Sequence, residues 1–297
     1  MQTSVQVTWS WKIAAYLFLA GTGSGAYAVS VLAASLGLVG PLAPAIGVAL
    51  GAPLVFAGML FLINDLGVKK NAVRAFINVR TSWMARGSWI ISIFTILDAA
   101  QLASMLWRWE WPAALDAVTV VFAVVTMFYT GFLLKSCRAI SFWSTIILPF
   151  LFLISASSTG AMAVVLGGVL YGSSVQSFSA LSRADAVLIL FEALVIAVYL
   201  ARGRRVRPSR ESVHMWINGR LAIGFWGGAV LCGLLIPLVA DAYSGGILVV
   251  SVSMSLGLAG GLFLRKIILA AGARDSLVSF SPASPFWGNV IRDAASG

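Results

Sequence analysis

Residues 142–171, FWSTIILPFLFLISASSTGAMAVVLGGVLY, run for thirty positions without one charged side chain. A helix that crosses the hydrocarbon core of a bilayer needs about 20 such residues. The run has no alternation of apolar and polar positions, which argues against a strand of an outer-membrane barrel. With it, seven similar runs make eight: Trp11–Val39, Pro44–Ile63, Ser88–Leu106, Ala114–Leu134, Phe142–Tyr171, Ala184–Leu200, Gly219–Ala240 and Gly246–Ala271. The whole chain of 297 residues is 60% apolar and 10% charged, with mean hydropathy +0.96. Soluble domains average about 45–50% apolar and about 25% charged, so this chain lacks the polar surface to coat itself in water. The fold class is an all-α integral membrane protein with eight transmembrane helices. The first and fifth runs exceed a bilayer's needs and are expected to tilt or protrude.

Eight spans put both termini on one side. Lys12, Lys69, Lys70, Arg74, Arg80, Arg86, Lys135, Arg138, Arg202, Arg204, Arg205, Arg207, Arg210, Arg220, Arg265, Lys266, Arg274 and Arg292 fall on that side, eighteen cations against Arg108 and Arg183 on the other. The positive-inside rule makes the terminal side cytoplasmic. The net charge of +10 is therefore topology, and nucleic-acid binding is excluded as its explanation. The expected location is the cytoplasmic membrane of a bacterium or archaeon, with both termini inside. The first run is too long for a cleaved signal peptide and sits in series with the others, so it reads as a retained span. Trp9, Trp11, Trp107, Trp109 and Trp111 lie at span ends, as an interfacial belt requires.

Composition restricts the chemistry. One histidine, His214, does not supply the two axial imidazoles of a buried haem b. Cys137 and Cys232 alone offer no iron–sulfur or zinc framework. Any redox role requires a diffusible cofactor. Residues 21–26, GTGSGA, formally match a dinucleotide fingerprint, but that motif works at the opening of a helix, where backbone N–H groups are free. Here it lies within a membrane helix. Gly21, Gly23 and Gly25 instead leave a surface against which a helix or a flat ring can lie close.

Ionisable side chains at membrane depth mark function by default. Asp98 falls in mid-span in the third run and Glu192 in the sixth, with no basic residue within one turn of either. Each is a proton-relay candidate or a neutral carboxyl hydrogen-bonded between helices. Asp65 closes the second span ahead of a basic loop, where a surface ion pair or a functional role is open to it. Lys12 and Tyr16 share a helix face at that depth, and Tyr129 returns to it at the end of the fourth span. The terminal side can thus gather two phenols, an ammonium and a carboxylate. Phenols can donate to a quinone carbonyl, and a carboxylate can exchange the protons that quinone reduction consumes.

Seven stretches in order, WKIAAYLFLAGTGSGA, NDLGVKKNAVRAF, SWMARGSW, YTGFLLKSCRAISFW, LPFLFLISASSTGAM, INGRLAIGFWGGAVLCGLLIPL and GGLFLRKIILAAG, resemble the signatures of the NrfD family of polysulfide-reductase membrane subunits. The resemblance runs from about residue 11 to residue 272. It implies two four-helix bundles, residues 1–141 with a quinone site and residues 142–297 with a C-terminal tail. It also implies a non-covalent quinone, menaquinone or ubiquinone, with no haem or iron–sulfur cluster in this chain. The implied partners are a four-cluster iron–sulfur subunit and a molybdopterin catalytic subunit, in which the substrate chemistry resides. Tyr129 matches the family's quinone-binding tyrosine and Asp65 a carboxylate of the same site. Where the family member has a histidine this chain has Tyr16, and its nearby asparagine falls on Ile13, next to Lys12. Tyr16 or Lys12 is left to serve the second quinone carbonyl. Glu192 matches a glutamate common in the sixth helix, while Asp98 matches no motif of the family.

The family's docking face lies on the terminal side, which here is basic. Docking of the partners from the cytoplasm is therefore expected, with basic loops facing an acidic periplasmic partner as the competing reading. Two other functions compete with a quinone-reactive anchor. One is a proton or ion transporter lined by Asp98 and Glu192, although no clear internal repeat supports it. The other is a purely structural anchor.

Overall fold

The computed structural model describes residues 11–65, 83–137, 140–206, 209–243 and 246–272. The loop cations Lys69, Lys70, Arg74, Arg80, Arg138 and Arg207, the tail cations Arg274 and Arg292, and Trp9 lie outside the described residues. Eight helices among those described are long and apolar enough to cross a membrane. They are α1 (Trp11–Ser35), α2 (Leu42–Asp65), α3 (Trp83–Trp107), α4 (Ala113–Lys135), α5 (Ile147–Leu170), α6 (Ser179–Arg205), α8 and α9 (Ile247–Ala270). In α8, Gly224–Leu235 is wound as a π-helix and continues as an α-helix through Ile236–Tyr243. A short helix, α7 (Arg210–Ile217), precedes it.

Several ends differ from the hydropathy reading, each for a local reason. Neither long run is helical throughout. α1 stops at Ser35 because Gly37 takes a left-handed φ of 69°, and Leu38 N–H closes on the Ala33 carbonyl at 2.9 Å. α5 begins at Ile147, with Pro149 in its first turn, where a missing N–H costs little. The preceding residues make turns, and Trp143 is tucked fully inside, its Nε1 donating to the Ile268 carbonyl at 2.8 Å. Those apolar residues lengthen the run as a buried anchor rather than as helix. α6 outlasts its apolar window at both ends, because a hydropathy window closes at Arg183 and Arg202 while the helix continues past them. α7 carries Arg210, Glu211 and His214, too polar a stretch for hydropathy to reveal. It docks through Ser212 Oγ, which donates to the Ala271 carbonyl at 2.6 Å, and through Trp216, packed on Phe142, Tyr199 and Phe225.

α1 and α5 are the most enclosed spans and cross each other. α1 also packs on α2 and α4, with α3 fitted between α2 and α4; α5 packs on α6 and α9, and α8 on α6 and α9. The glycines of residues 21–26 serve this packing. Gly23 faces the Gly51 carbonyl of α2, Gly25 faces the Ala156 backbone of α5, and Gly160 of α5 lies on the backbone of Gly25 and Ala26. One apolar core runs through both halves of the chain.

Candidate functional site

At the terminal end of the first four helices, the phenol of Tyr129 is 5% exposed and lies across Gly87 of α3. A Cβ at Gly87 would overlap the ring, so glycine is what lets α3 and the phenol share that space. The Tyr129 hydroxyl donates to the Met84 carbonyl at 3.5 Å, the outer limit of a hydrogen bond, which leaves its proton available to a better acceptor. The ring of Tyr129 helps line an apolar groove between α3 and α4 of about 350 Å3, with Trp83, Ile90, Val125, Phe128 and Phe132. Trp83 stacks on Phe132 at 5.8 Å, with Arg86 over the first ring and Lys135 over the second.

From α1, Tyr16 is fully buried and within electrostatic reach of Tyr129. Lys12 reaches the end of α2, its Nζ donating to the Asn64 carbonyl at 3.5 Å beside Asp65. Both Lys12 and Asp65 are half-buried and engaged by neighbours. Tyr16 thus lies within electrostatic reach of Tyr129, and Lys12 meets the end of α2 beside Asp65. The aromatic walls of the groove fit a flat apolar ring.

Asp98 belongs elsewhere. It is fully buried against α2, where Gly51 has no side chain because a Cβ would overlap the Asp98 carboxyl. Neither of its oxygens has a hydrogen-bond partner among the described residues. One turn along α3, Gln101 accepts from Tyr27 at 2.6 Å and donates to Asp116 at 2.8 Å, and Asp116 also accepts from Trp111 at 2.8 Å. Trp111 is thus tied into a network as well as standing at a span end. This series of polar groups leads from mid-membrane toward the side opposite the termini.

Glu192 lies in the second half, buried, beside Ser155 of α5. The counter-charge comes from α9 and corrects the charge count made from the sequence: Arg265 is no surface cation but is 1% exposed in the core. Its Nη1 donates to Ser155 Oγ at 3.1 Å and to the Gly261 carbonyl at 2.9 Å, while Nε and Nη2 have no partner among the described residues. The guanidinium lies over Phe18 and Phe152 at 5.5 and 5.7 Å and interacts electrostatically with Glu192. Two further carboxyls, which the sequence reading passed over, continue the series. Asp185 is fully buried near Ser158 and within electrostatic reach of Glu192 and Asp241. Asp185 and Glu192 are seven apart, hence on one face of α6, which was the available signal. A cavity of about 10 Å3, room for about one water, lies beside Glu192, Ser158 and Thr159.

Known proteins resemble this chain over most of its length. The family model described as "Polysulphide reductase, NrfD" matches residues 1–274. The C subunit of polysulfide reductase from Wolinella succinogenes is 31% identical over 309 residues, covering 90% of this chain and 94% of that protein. Protein NrfD of Escherichia coli is 27% identical over 308 residues, covering 90% and 95%. A protein NrfD homolog of Haemophilus influenzae is 23% identical over 269 residues, covering 80% and 84%.

Proposed function

The chain belongs to the NrfD family, and on that premise we propose that it is the quinone-reactive membrane subunit of a redox complex. It would pass electrons between the quinone pool and an iron–sulfur subunit that serves a molybdopterin catalytic subunit. The relatives support the coarser part of this, since one of them is a subunit of polysulfide reductase. The observation that carries the rest is the buried Tyr129 phenol on the wall of an aromatic groove, with Tyr16 within electrostatic reach.

A bound quinone supplies a couple of two electrons and two protons. This chain's residues do the remainder. Trp83, Phe128 and Phe132 exclude water from the ring; Tyr129 and Tyr16 donate to carbonyl oxygens; Asp65 beside Lys12 holds or releases a proton at the mouth. In this reading residues 1–141 form the quinone-binding bundle and residues 142–297 the second. The carboxyls Asp241, Asp185 and Glu192 with Arg265 support a proton route through the second half, and Asp98 with Gln101 and Asp116 a shorter one in the first.

Binding of a quinone analogue to the purified chain tests the site. Tyr129→Phe is expected to weaken it about three- to tenfold, the worth of one hydrogen bond, and Asp65→Asn by a similar factor. Unchanged affinity in both variants removes the site from this position. The proposed orientation has its own test. Alkaline phosphatase fused to the carboxyl terminus is expected to be inactive in cells and green fluorescent protein fused there to fluoresce; an active phosphatase reverses the orientation and moves the docking face to the periplasm.

A further inference from the structure

At the terminal end of α5 and α6 lies a second polar cavity, of about 220 Å3, which no part of the quinone reading uses. Ser141, Ser144 and Thr145 line it from the turns ahead of α5, Arg202 from the last turn of α6, and Ser209 from the start of α7. No carboxylate lines it among the described residues. Ser209 is 3% exposed, and its side chain makes no cap hydrogen bond to α7. Thr145 is 8% exposed, and its Oγ1 accepts from Ile147 N–H at 3.4 Å. The remaining polar group, the Tyr199 hydroxyl, is spent on the Phe142 carbonyl at 2.7 Å. Hydroxyl donors converging with one guanidinium, and no acid, form a receptor for an oxyanion, and the planar fork of arginine suits phosphate.

The position of the cavity narrows the ligand. It lies where α5 starts and α6 ends, at the level where a membrane helix meets lipid headgroups. Along α6, Leu190, Leu194 and Val198 are 57%, 58% and 47% exposed, and the same four-residue step brings the stripe to Arg202. An acyl chain lying on that stripe leads its phosphate to the cavity. Arg204 and Arg205 lie beside it, and Arg210 is fixed by its Nε bond to the Arg204 carbonyl at 2.8 Å, so the surrounding field is positive. A zwitterionic headgroup would bring a cation into that field, whereas an anionic one would not. We propose that this cavity binds the phosphate of an anionic phospholipid in the leaflet on the side of the termini, with the acyl chain laid along Leu190, Leu194 and Val198.

The test uses the full chain in phosphatidylcholine nanodiscs carrying a photoactivatable phosphatidylglycerol, with adducts mapped by peptide. Adducts are expected on the peptides spanning 141–145 and 202–209. A photoactivatable phosphatidylcholine should label them about tenfold less. Arg202→Gln and Arg202→Gln/Thr145→Val should lower the phosphatidylglycerol labelling to that level, while Arg204→Gln, which removes a charge beside the cavity but no lining group, should lower it far less. Excess inorganic phosphate should not compete. Equal labelling by the two lipids overturns the proposal without any variant having to fold. So does labelling that survives Arg202→Gln, labelling lost equally in Arg204→Gln, or displacement by inorganic phosphate, which would make the cavity a site for the free ion.

Discussion

Gly160→Leu is expected to leave no folded protein in the membrane, and Gly160→Ala a protein destabilised by at least about 1–3 kcal/mol, the usual cost of overpacking. The reason lies in what a Cβ would strike. At Gly160 it would run into the Gly25 carbonyl carbon, the Ala26 nitrogen and the Gly25 Cα, all backbone. Gly25 meets the Ala156 backbone in return. A clash with a side chain can be relieved by a change of rotamer, but a clash of two helix backbones is relieved only by moving the helices apart. α1 and α5 are the two most enclosed spans, so separating them opens the core that both halves share. Association of helices in a bilayer depends on such close packing, since lipid tails offer no hydrophobic gain from burial. The control is Gly227→Ala, where a Cβ has nothing within 4 Å; it is expected to be neutral. Resistance to unfolding in sodium dodecyl sulfate measures both. Wild-type resistance in Gly160→Leu would mean that the α1–α5 contact is not what holds the spans together.

The glycine run at 21–26 shows what sequence could and could not reveal. That it lies in a membrane helix, and therefore serves close approach rather than phosphate binding, follows from hydropathy. Which helix approaches is a tertiary matter: Gly160 lies in a different span, and only the crossing of α1 and α5 pairs it with Gly25. The same division runs through the candidate site. Lys12, Tyr16, Asp65 and Tyr129 are expected at one depth by counting residues from span ends, because depth along a helix is a one-dimensional property. The aromatic groove and the glycine under Tyr129 could not be read this way, since they depend on how α3 rotates against α4. Arg265 misled for the same reason. Close to the end of α9, a cation reads as one that snorkels to the surface. Its burial depends on Gly21 and Phe18 of α1, Ser155 and Phe152 of α5, and Gly261 of its own helix.

Arg265 carries the second large effect, and its electrostatic coupling to Glu192 across Ser155 makes the outcome asymmetric. Removing one member of a buried charge pair costs about 3–5 kcal/mol, whereas replacing both by uncharged groups of similar size is often neutral. Glu192→Gln strands a guanidinium that cannot shed its charge, with only Ser155, the Gly261 carbonyl and two aromatic faces to hold it. Arg265→Met strands a carboxyl, which can take up a proton and persist as a neutral acid beside Ser155. Glu192→Gln is therefore expected to be the more destabilising single change, by about 3 kcal/mol, with Arg265→Met milder and the double variant recovering most of the loss. Agreement of the double variant with the sum of the singles to within about 0.5 kcal/mol would show the two groups to be uncoupled. The functional consequence separates differently. If Asp241, Asp185 and Glu192 carry protons, Glu192→Gln removes the relay and Arg265→Met only the charge that organises it. Proton uptake by vesicles holding the complete complex should then vanish in the first and fall in the second, while quinone-analogue binding at Tyr129, on the other half of the molecule, stays at the wild-type level in both.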